Sequence, residues 1–393
     1  MAKIKNPFIV LGKINPAYFC DRVKESEILV KSLTNGNNLV LISPRRMGKT
    51  GLISYCYDKP QLSKGYYTFF IDILHTTSLR EFTYLFGRHI YETLLPRSKK
   101  MVVSFIHALK SLSGKFGFDP FSSLPTFSLE ITDITKPELT LEEIFQYLEN
   151  APRPCIVAFD EFQQIASYPE KNVEALLRTF IQRMNNVNFI FAGSEYHIMQ
   201  EMFLSSAKPF YNSADILELK AIDPNVYSMF VKKHMKSGGI TIGEEVINMV
   251  YNLMEGNTYA MQKTFNEAFS LLSSGEECSL EYVTQAIKNV IESKEPLYKE
   301  LLSNISERYK PLLYSIAQDR KVKQITSVKF IHQHHLSSAS SVQYSAKLLL
   351  EKGLITRVNG VYSVTDVFFA LWINNLYGKK KLVTLLNESS SIN

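Results

Sequence analysis

Cysteine is scarce in this chain: Cys20, Cys56, Cys155 and Cys278 are the only four in 393 residues, and no two form a CxxC pair. Their wide spacing excludes a disulfide framework and a zinc-ligand set and leaves reduced thiols as the default. Cys155, inside an apolar run, reads as plain core. Long hydrophobic runs are missing as well. No stretch approaches the roughly 18 apolar residues of a membrane span, and Met1 to Val10 carries no secretory apolar segment. The cytoplasm is therefore the expected location, and no membrane is an expected partner. A strong charge of one sign is also lacking, since 44 Lys/Arg against 38 Asp/Glu leave a formal charge of +6. That small excess is unevenly spread. From Glu295 to Asn393 there are 13 Lys/Arg and 7 Asp/Glu, a surplus equal to that of the whole chain. A basic final module suits nucleic acid, and a solvated basic face explains it equally well.

What is present is the composition of an ordinary globular protein, 45% hydrophobic and 21% charged, long enough for two or three domains. Up to about Lys220 strands and helices alternate, the pattern of a parallel sheet wrapped by helices. The expected strands are Leu39 to Ile42, Tyr67 to Ile71, Cys155 to Phe159, Phe189 to Ala192 and Asp215 to Leu219. Leu79 to Leu95 reads as a helix, and Ser98 to Pro137, with Gly114, Gly117 and several prolines, as a mixed and partly mobile insertion. From Asp223 to about Ser293 the periodicity is helical, with segments at Pro224, Glu244 to Met254, Thr258 to Ser273 and Leu280 to Glu292. The final part offers three short helices and then two short strands, Leu354 to Arg357 and Val361 to Val364, around the turn Asn359-Gly360. Three helices followed by a hairpin predict a winged helix-turn-helix.

The first expected strand runs directly into Ser43-Pro44-Arg45-Arg46-Met47-Gly48-Lys49-Thr50, which fits GxxxxGK[ST] except that Ser43 stands in the first glycine's place. An apolar strand, a turn rich in inward amides and a helix N-terminus together make a cradle for phosphate. Residues Ser43, Pro44, Arg45, Arg46, Met47, Gly48, Lys49, Thr50 and Gly51 are thus the expected ATP-binding set. Lys49 supplies a point charge on the phosphates and Thr50 a hydroxyl for Mg2+. Arg45 and Arg46 are open to phosphate, base or a neighbouring subunit, and equally to no role beyond an exposed loop.

A second apolar strand ends in Asp160-Glu161, at the edge where parallel sheets bind ligands. Asp160 is expected to orient Mg2+ and Glu161 to act as general base on the attacking water. The plainer alternative is that both merely cap the next helix. A third strand ends in Gly193-Ser194, where the Ser194 hydroxyl either contacts the γ-phosphate and its water or is a simple turn serine.

These motifs, with Asp160-Glu161-Phe162-Gln163, Gly256-Asn257-Thr258-Tyr259-Ala260-Met261-Gln262 and Asp366-Val367-Phe368-Phe369-Ala370-Leu371-Trp372-Ile373, come in one order along nearly the whole chain. In that order they resemble the archaeal/bacterial ATPase family of the STAND branch of AAA-like P-loop proteins. The resemblance implies an α/β P-loop NTPase sheet, a helical lid and a C-terminal winged helix-turn-helix. The corresponding domains are 1–220 (ATPase core), 221–300 (lid) and 301–393 (winged helix). It also gives Arg22, in Phe19-Cys20-Asp21-Arg22, the place of a contact to the adenine base. Departures are visible. Phe210-Tyr211 is followed by Asn212-Ser213 where the family often has Gly-Arg, Thr258 replaces a proline, and no arginine follows Gln262. Without such a positive charge, worth about 10³ to 10⁵ in rate, slow Mg-dependent hydrolysis is expected.

In the final module, Ser340 to Glu351 is the expected recognition helix, with Ser340, Ser341, Gln343 and Lys347 as phosphate or base contacts and Arg357 on the wing. Leu348, Leu349 and Leu350 turn much of it inward, so a protein-contact role fits as well as DNA. His332, His334 and His335 lack companions at metal-ligand spacing. Two functions fit these residues: an ATP-dependent conformational switch, in which γ-phosphate contacts at Lys49, Glu161 and Ser194 set the angle between core, lid and winged helix, or an ATP-regulated DNA-binding initiator or regulator. A nucleotide-dependent homo-oligomer is compatible with either.

Overall fold

The computed structural model describes residues 6–10, 12, 15–118, 125–378 and 382–389. The chain divides into two compact units, one made of Val23–Ser43 and Lys49–Leu219, the other of Met1–Arg22, Pro44–Gly48 and Lys220–Asn393.

The first unit is built on a sheet of β1 (Leu39–Ile42), β2 (Tyr67–Asp72), β3 (Cys155–Asp160), β4 (Val187–Gly193) and β5 (Asp215–Glu218). All pairings are parallel and the spatial order is β2-β3-β4-β1-β5. Every residue of β1 and β3 is buried, which is why these runs are continuously apolar rather than alternating. Register places Ile42 beside Gly193 on β4 and beside Glu218 on β5, and Asp72 beside Asp160. The strand ends that carry polar residues therefore line up on one edge.

Helices α1 (Val23–Thr34), α2 (Lys49–Tyr57) and α3 (Leu79–Leu94) belong to this unit. Ser78 caps α3 by accepting from the Glu81 amide. Phe82, Phe86 and Ile90, spaced by four, are buried, and the first two set their rings 5.3 and 5.1 Å from Phe159 of β3. Below the carboxyl end of β3, Phe162 packs its fully buried ring 4.7 Å from Phe191 and 5.5 Å from Phe210. Each such side chain contributes roughly 1.5 to 3 kcal/mol of burial.

Some expectations are corrected here. β2 and β3 extend one residue further than their apolar runs, because Asp72 and Asp160 still pair although they are polar. Within the mixed insertion at Ser98 to Pro137, Ser98 caps a helix, α4 (Lys99–Ala108), whose Val102, Phe105 and Ile106 are buried. The glycines and prolines that suggested mobility lie beyond it, and 119–124 of that segment fall outside the described residues.

In the second unit, α5 (Thr258–Leu271) is followed by α6 (Leu280–Ser303), which does not stop near Glu292 as its expected segment did. Val290, Ile291, Tyr298 and Leu302 continue one buried stripe past Pro296, which lies inside the helix. Then come α7 (Lys310–Asp319), α8 (Val328–Gln333), α9 (Ala339–Glu351) and an antiparallel hairpin of β6 (Ile355–Val358) and β7 (Val361–Val364). Asn359 and Gly360 both take positive φ, 48° and 78°, as a two-residue hairpin turn demands. Three helices and a wing thus form as the sequence predicts. Last in this group is α10 (Val367–Tyr377), whose Phe369 and Trp372 rings pack at a tilt on Tyr298 of α6, 5.0 and 5.6 Å away.

All four cysteines are free and buried, and burial pushes each thiol up to about 12, out of reach of thiolate chemistry near neutral pH. No helix among the described residues is long and apolar enough to cross a membrane.

Candidate functional site

The carboxyl edge of β3 concentrates charge in very little space. Asp160 and Lys49 are almost fully buried, 4% and 7% exposed. Lys49 Nζ lies 3.0 Å from Glu161 Oε1 and 3.5 Å from Asp160 Oδ1. Thr50 Oγ1 donates to Asp160 Oδ2 at 2.7 Å. Glu161 Oε2 accepts from Ser194 Oγ at 2.5 Å and from Gln163 Nε2 at 2.7 Å. Lys49, Thr50, Asp160, Glu161 and Ser194, taken from three separate motifs, thus form one cluster. Hard oxygens from a hydroxyl and a carboxylate, as at Thr50 and Asp160, are the donor set that Mg2+ takes.

Glu161 is held here by its backbone as well. It takes a left-handed φ of 56°, costly for a residue with a Cβ and found where function fixes the geometry. The turn aims its carboxylate back at Lys49 instead of capping a regular helix, and the chain continues into a 3₁₀ segment, Phe162–Ser167. Burial works to raise the Glu161 carboxyl, but the Lys49 charge, together with hydrogen bonds from Gln163, Ser194 and Lys49, holds it below the usual range. It is therefore ionised at neutral pH.

Ser43 explains its own departure from the motif. It is fully buried, its amide donates to Gly193 O at 3.2 Å in continuation of the sheet pairing, and its φ is not positive. A small side chain is needed there, not glycine's freedom. The left-handed positions of the loop are Gly48, at φ 94°, and Arg46, at φ 68°.

Within the second unit, the loop Pro44–Gly48 is bound by its carbonyls and its arginines. Tyr259 N donates to Arg46 O at 3.1 Å, Thr258 Oγ1 to Met47 O at 3.4 Å, and Arg22 Nη2 to the same oxygen at 3.3 Å. Arg22, expected near a base, is 4% exposed and places this guanidinium nitrogen on the loop's own backbone. The Arg46 guanidinium lies 4.6 Å over the Tyr259 ring, and its Nη1 donates to Asp366 Oδ2 at 2.7 Å. Lys294 adds a second cation, 3.5 Å from the same oxygen. The other carboxylate oxygen, Oδ1, caps α10 by accepting from Phe368 N and Phe369 N. Arg45 also turns this way: a methyl at Gly353, just after α9, would lie 3.3 Å from its Nη1.

Sequence reasoning quoted Asp366 only as part of a motif and gave Lys294 no role. Arg46 and Asp366 carry no local signal of each other. Nor was Gln163 singled out, although its position two residues after Glu161 was on view. In the winged helix, Ser340, Gln343 and Lys347 are exposed on α9 and Arg357 on the wing, while Val342, Ala346 and Leu349 face inward. His334 lies 3.0 Å from Asp319, fifteen residues earlier.

A sequence model described as an ATPase domain predominantly from Archaea matches residues 19–264, and one for a probable winged helix domain matches residues 296–375. A search of curated protein sequences gives no match. Among solved structures, the Walker-type ATPase PABY2304 of Pyrococcus abyssi is similar with a TM-score of 0.65 and 18% identity, over 94% of this chain and 99% of that one. The Aeropyrum pernix ORC2 protein, in ADPNP and ADP complexes, is similar with a TM-score of 0.55 and 13% identity, over 95% and 97%. The ORC1 protein of the same organism, in complex with DNA, has a TM-score of 0.51 and 11% identity, over 94% and 96%. These likenesses establish the fold: a P-loop ATPase sheet and a C-terminal winged helix domain.

Burial works to raise the Asp366 carboxyl, but Lys294 and Arg46 outweigh it and hold the group low. Asp366→Asn keeps one oxygen for the helix cap, removes the charge and sets an amide NH2 where the oxygen accepts from Arg46, and it is expected to cost about 1 kcal/mol in urea unfolding at pH 7. A depressed carboxyl stabilises the fold above its unfolded pKa, and that stabilisation is lost as pH falls through the folded one. The wild type and the variant should therefore differ fully above about pH 4 and converge below it.

Proposed function

This chain belongs to the family of ATPase domains predominantly from Archaea and is an AAA-like P-loop ATPase with a winged helix domain; from that premise we propose that it is a nucleotide-dependent conformational switch with slow hydrolysis. The observation that carries this reading is the Arg46–Asp366 pair, which ties the phosphate loop to the helix that comes after the wing. Arg46 has two anionic partners to choose between, Asp366 and the phosphates of ATP. Binding of ATP draws Arg46 toward the phosphates and loosens its hold on Asp366, so the winged helix domain registers the nucleotide.

In this reading Lys49 binds the β- and γ-phosphates, exchanging Glu161 for them. The loop residues Ser43 to Gly51 enclose the phosphates, and Arg22 lies toward the base. Thr50 and Asp160 fit Mg2+, which supplies positive charge for the phosphate oxygens. Glu161 takes a proton from the water that attacks the γ-phosphorus. The bond from phosphorus to the bridging oxygen breaks, its electron pair leaves on ADP, and phosphate and ADP are released as Glu161 returns the proton to solvent. Ser194 orients the carboxylate and senses the γ-phosphate. No arginine takes the place of the family's lid arginine, which supports a slow rate.

A second reading, ATP-regulated DNA binding through α9 and the wing, is favoured by the exposed Lys347 and Arg357 and by the likeness to an ORC1 protein in complex with DNA. Under it, duplex affinity falls steeply with salt and drops further in Lys347→Ala and Arg357→Ala; no duplex binding at low salt, with or without ATP, sinks it.

For the switch, Lys49→Ala is expected to weaken ATP binding at least 100-fold. Glu161→Gln should keep ATP affinity while lowering turnover by about 10² to 10⁴. Equilibrium binding and phosphate release measured on both variants decide the matter, and unchanged affinity in Lys49→Ala overturns the assignment.

A further inference from the structure

Gln163 is nearly buried, at 3% exposure, and is tied to Glu161: its Nε2 donates to Glu161 Oε2 at 2.7 Å. Its Oε1 is buried with no hydrogen-bond partner. The orientation of the amide is fixed by chemistry, since swapping nitrogen and oxygen would set an acceptor against a carboxylate. A buried amide with one end unsatisfied is unfavourable for stability, so its presence calls for another explanation.

Room for the amide is made by the neighbouring strand. A Cβ on Gly193, the last residue of β4, would come within 2.7 Å of Gln163 Oε1 and 2.4 Å of Met199 Sδ. Gly193 does not take a positive φ, so its missing side chain serves space rather than backbone freedom. The same strand end then delivers Ser194, the second donor to Glu161 Oε2.

The donors divide by what a nucleotide does to them. Lys49, on Oε1, is the partner that the phosphates draw away in the switch mechanism. Of the two donors on Oε2, Ser194 is shared with the γ-phosphate in that mechanism, whereas Gln163 has no phosphate partner. We infer that Gln163 is a positioning residue for hydrolysis: once Lys49 turns to the phosphates, its amide N–H keeps the Glu161 carboxylate oriented with Oε1 free to take the proton of the attacking water. This rests on Glu161 being the base.

The test is single-turnover hydrolysis of MgATP, with the full chain carrying Gln163→Met in excess over the nucleotide; the substitution keeps the volume and removes the donor. The expected result is a rate at least tenfold lower with ATP affinity within twofold of wild type. A rate within twofold of wild type overturns the inference, as does a loss of rate matched by an equal loss of ATP affinity. If Gln163→Met does not fold, Gly193→Ala, which crowds the same amide, is read by the same criteria. Glu161→Gln separates the two levels. Wild-type turnover in that variant removes the base and this inference together, whereas an inactive Glu161→Gln beside an unaffected Gln163→Met removes this inference alone.

Discussion

The pairing of Arg46 with Asp366 is the interaction on which the proposed switch depends. Arg46 occupies a left-handed backbone conformation that costs an arginine about 1 to 3 kcal/mol, and it is kept there from three sides. Tyr259 N bonds its carbonyl, the Tyr259 ring lies under its guanidinium, and Asp366 takes its charge. Asp366 is in turn committed by its cap on α10 and shared with Lys294. A phosphate-binding loop is usually considered with respect to the sheet it grows from. Here its tip groups with Lys220–Asn393, while Lys49, one residue past it, groups with the sheet.

On the sheet side the problem is how two carboxylates and a lysine are accommodated with so little water. Asp160, Glu161 and Lys49 satisfy one another, and Thr50, Ser194 and Gln163 satisfy most of the remaining lone pairs. Removing one member of such a cluster leaves a buried charge uncompensated, so the effects of substitution there do not add. In the proposed mechanism Lys49 is the mobile partner, because a triphosphate carries more negative charge than either carboxylate. What the protein fixes in advance is the orientation of Glu161, through a left-handed turn and two neutral donors.

Much of this was legible in the sequence where the signal is local. Leu39 to Ile42 and Cys155 to Phe159 declare buried parallel strands by being apolar throughout, and polar residues at the end of such a strand fall on the ligand edge whatever the loops do. The hairpin declared itself by Asn359-Gly360. Less legible was α4, whose helical periodicity at Lys99–Ala108 was masked by the glycines and prolines downstream. The end of α6 was missed because Pro296 looks like a stop, although the apolar stripe carries on past it. Arg46 and Asp366, separated by 320 residues, have no pattern that predicts their meeting. The role of Gln163 depends on the φ of Glu161, a backbone conformation that residue identity alone does not specify.

The most direct measurement of the central claim is ATP affinity across a double-mutant cycle of Arg46→Met and Asp366→Asn, taken by equilibrium titration of the full chain with MgATP. If Asp366 and the phosphates compete for Arg46, Asp366→Asn alone tightens ATP binding by about fivefold, the equivalent of ~1 kcal/mol, and has no effect once Arg46 is methionine. Unchanged affinity in Asp366→Asn, or the same tightening in the Arg46→Met background, would contradict the account.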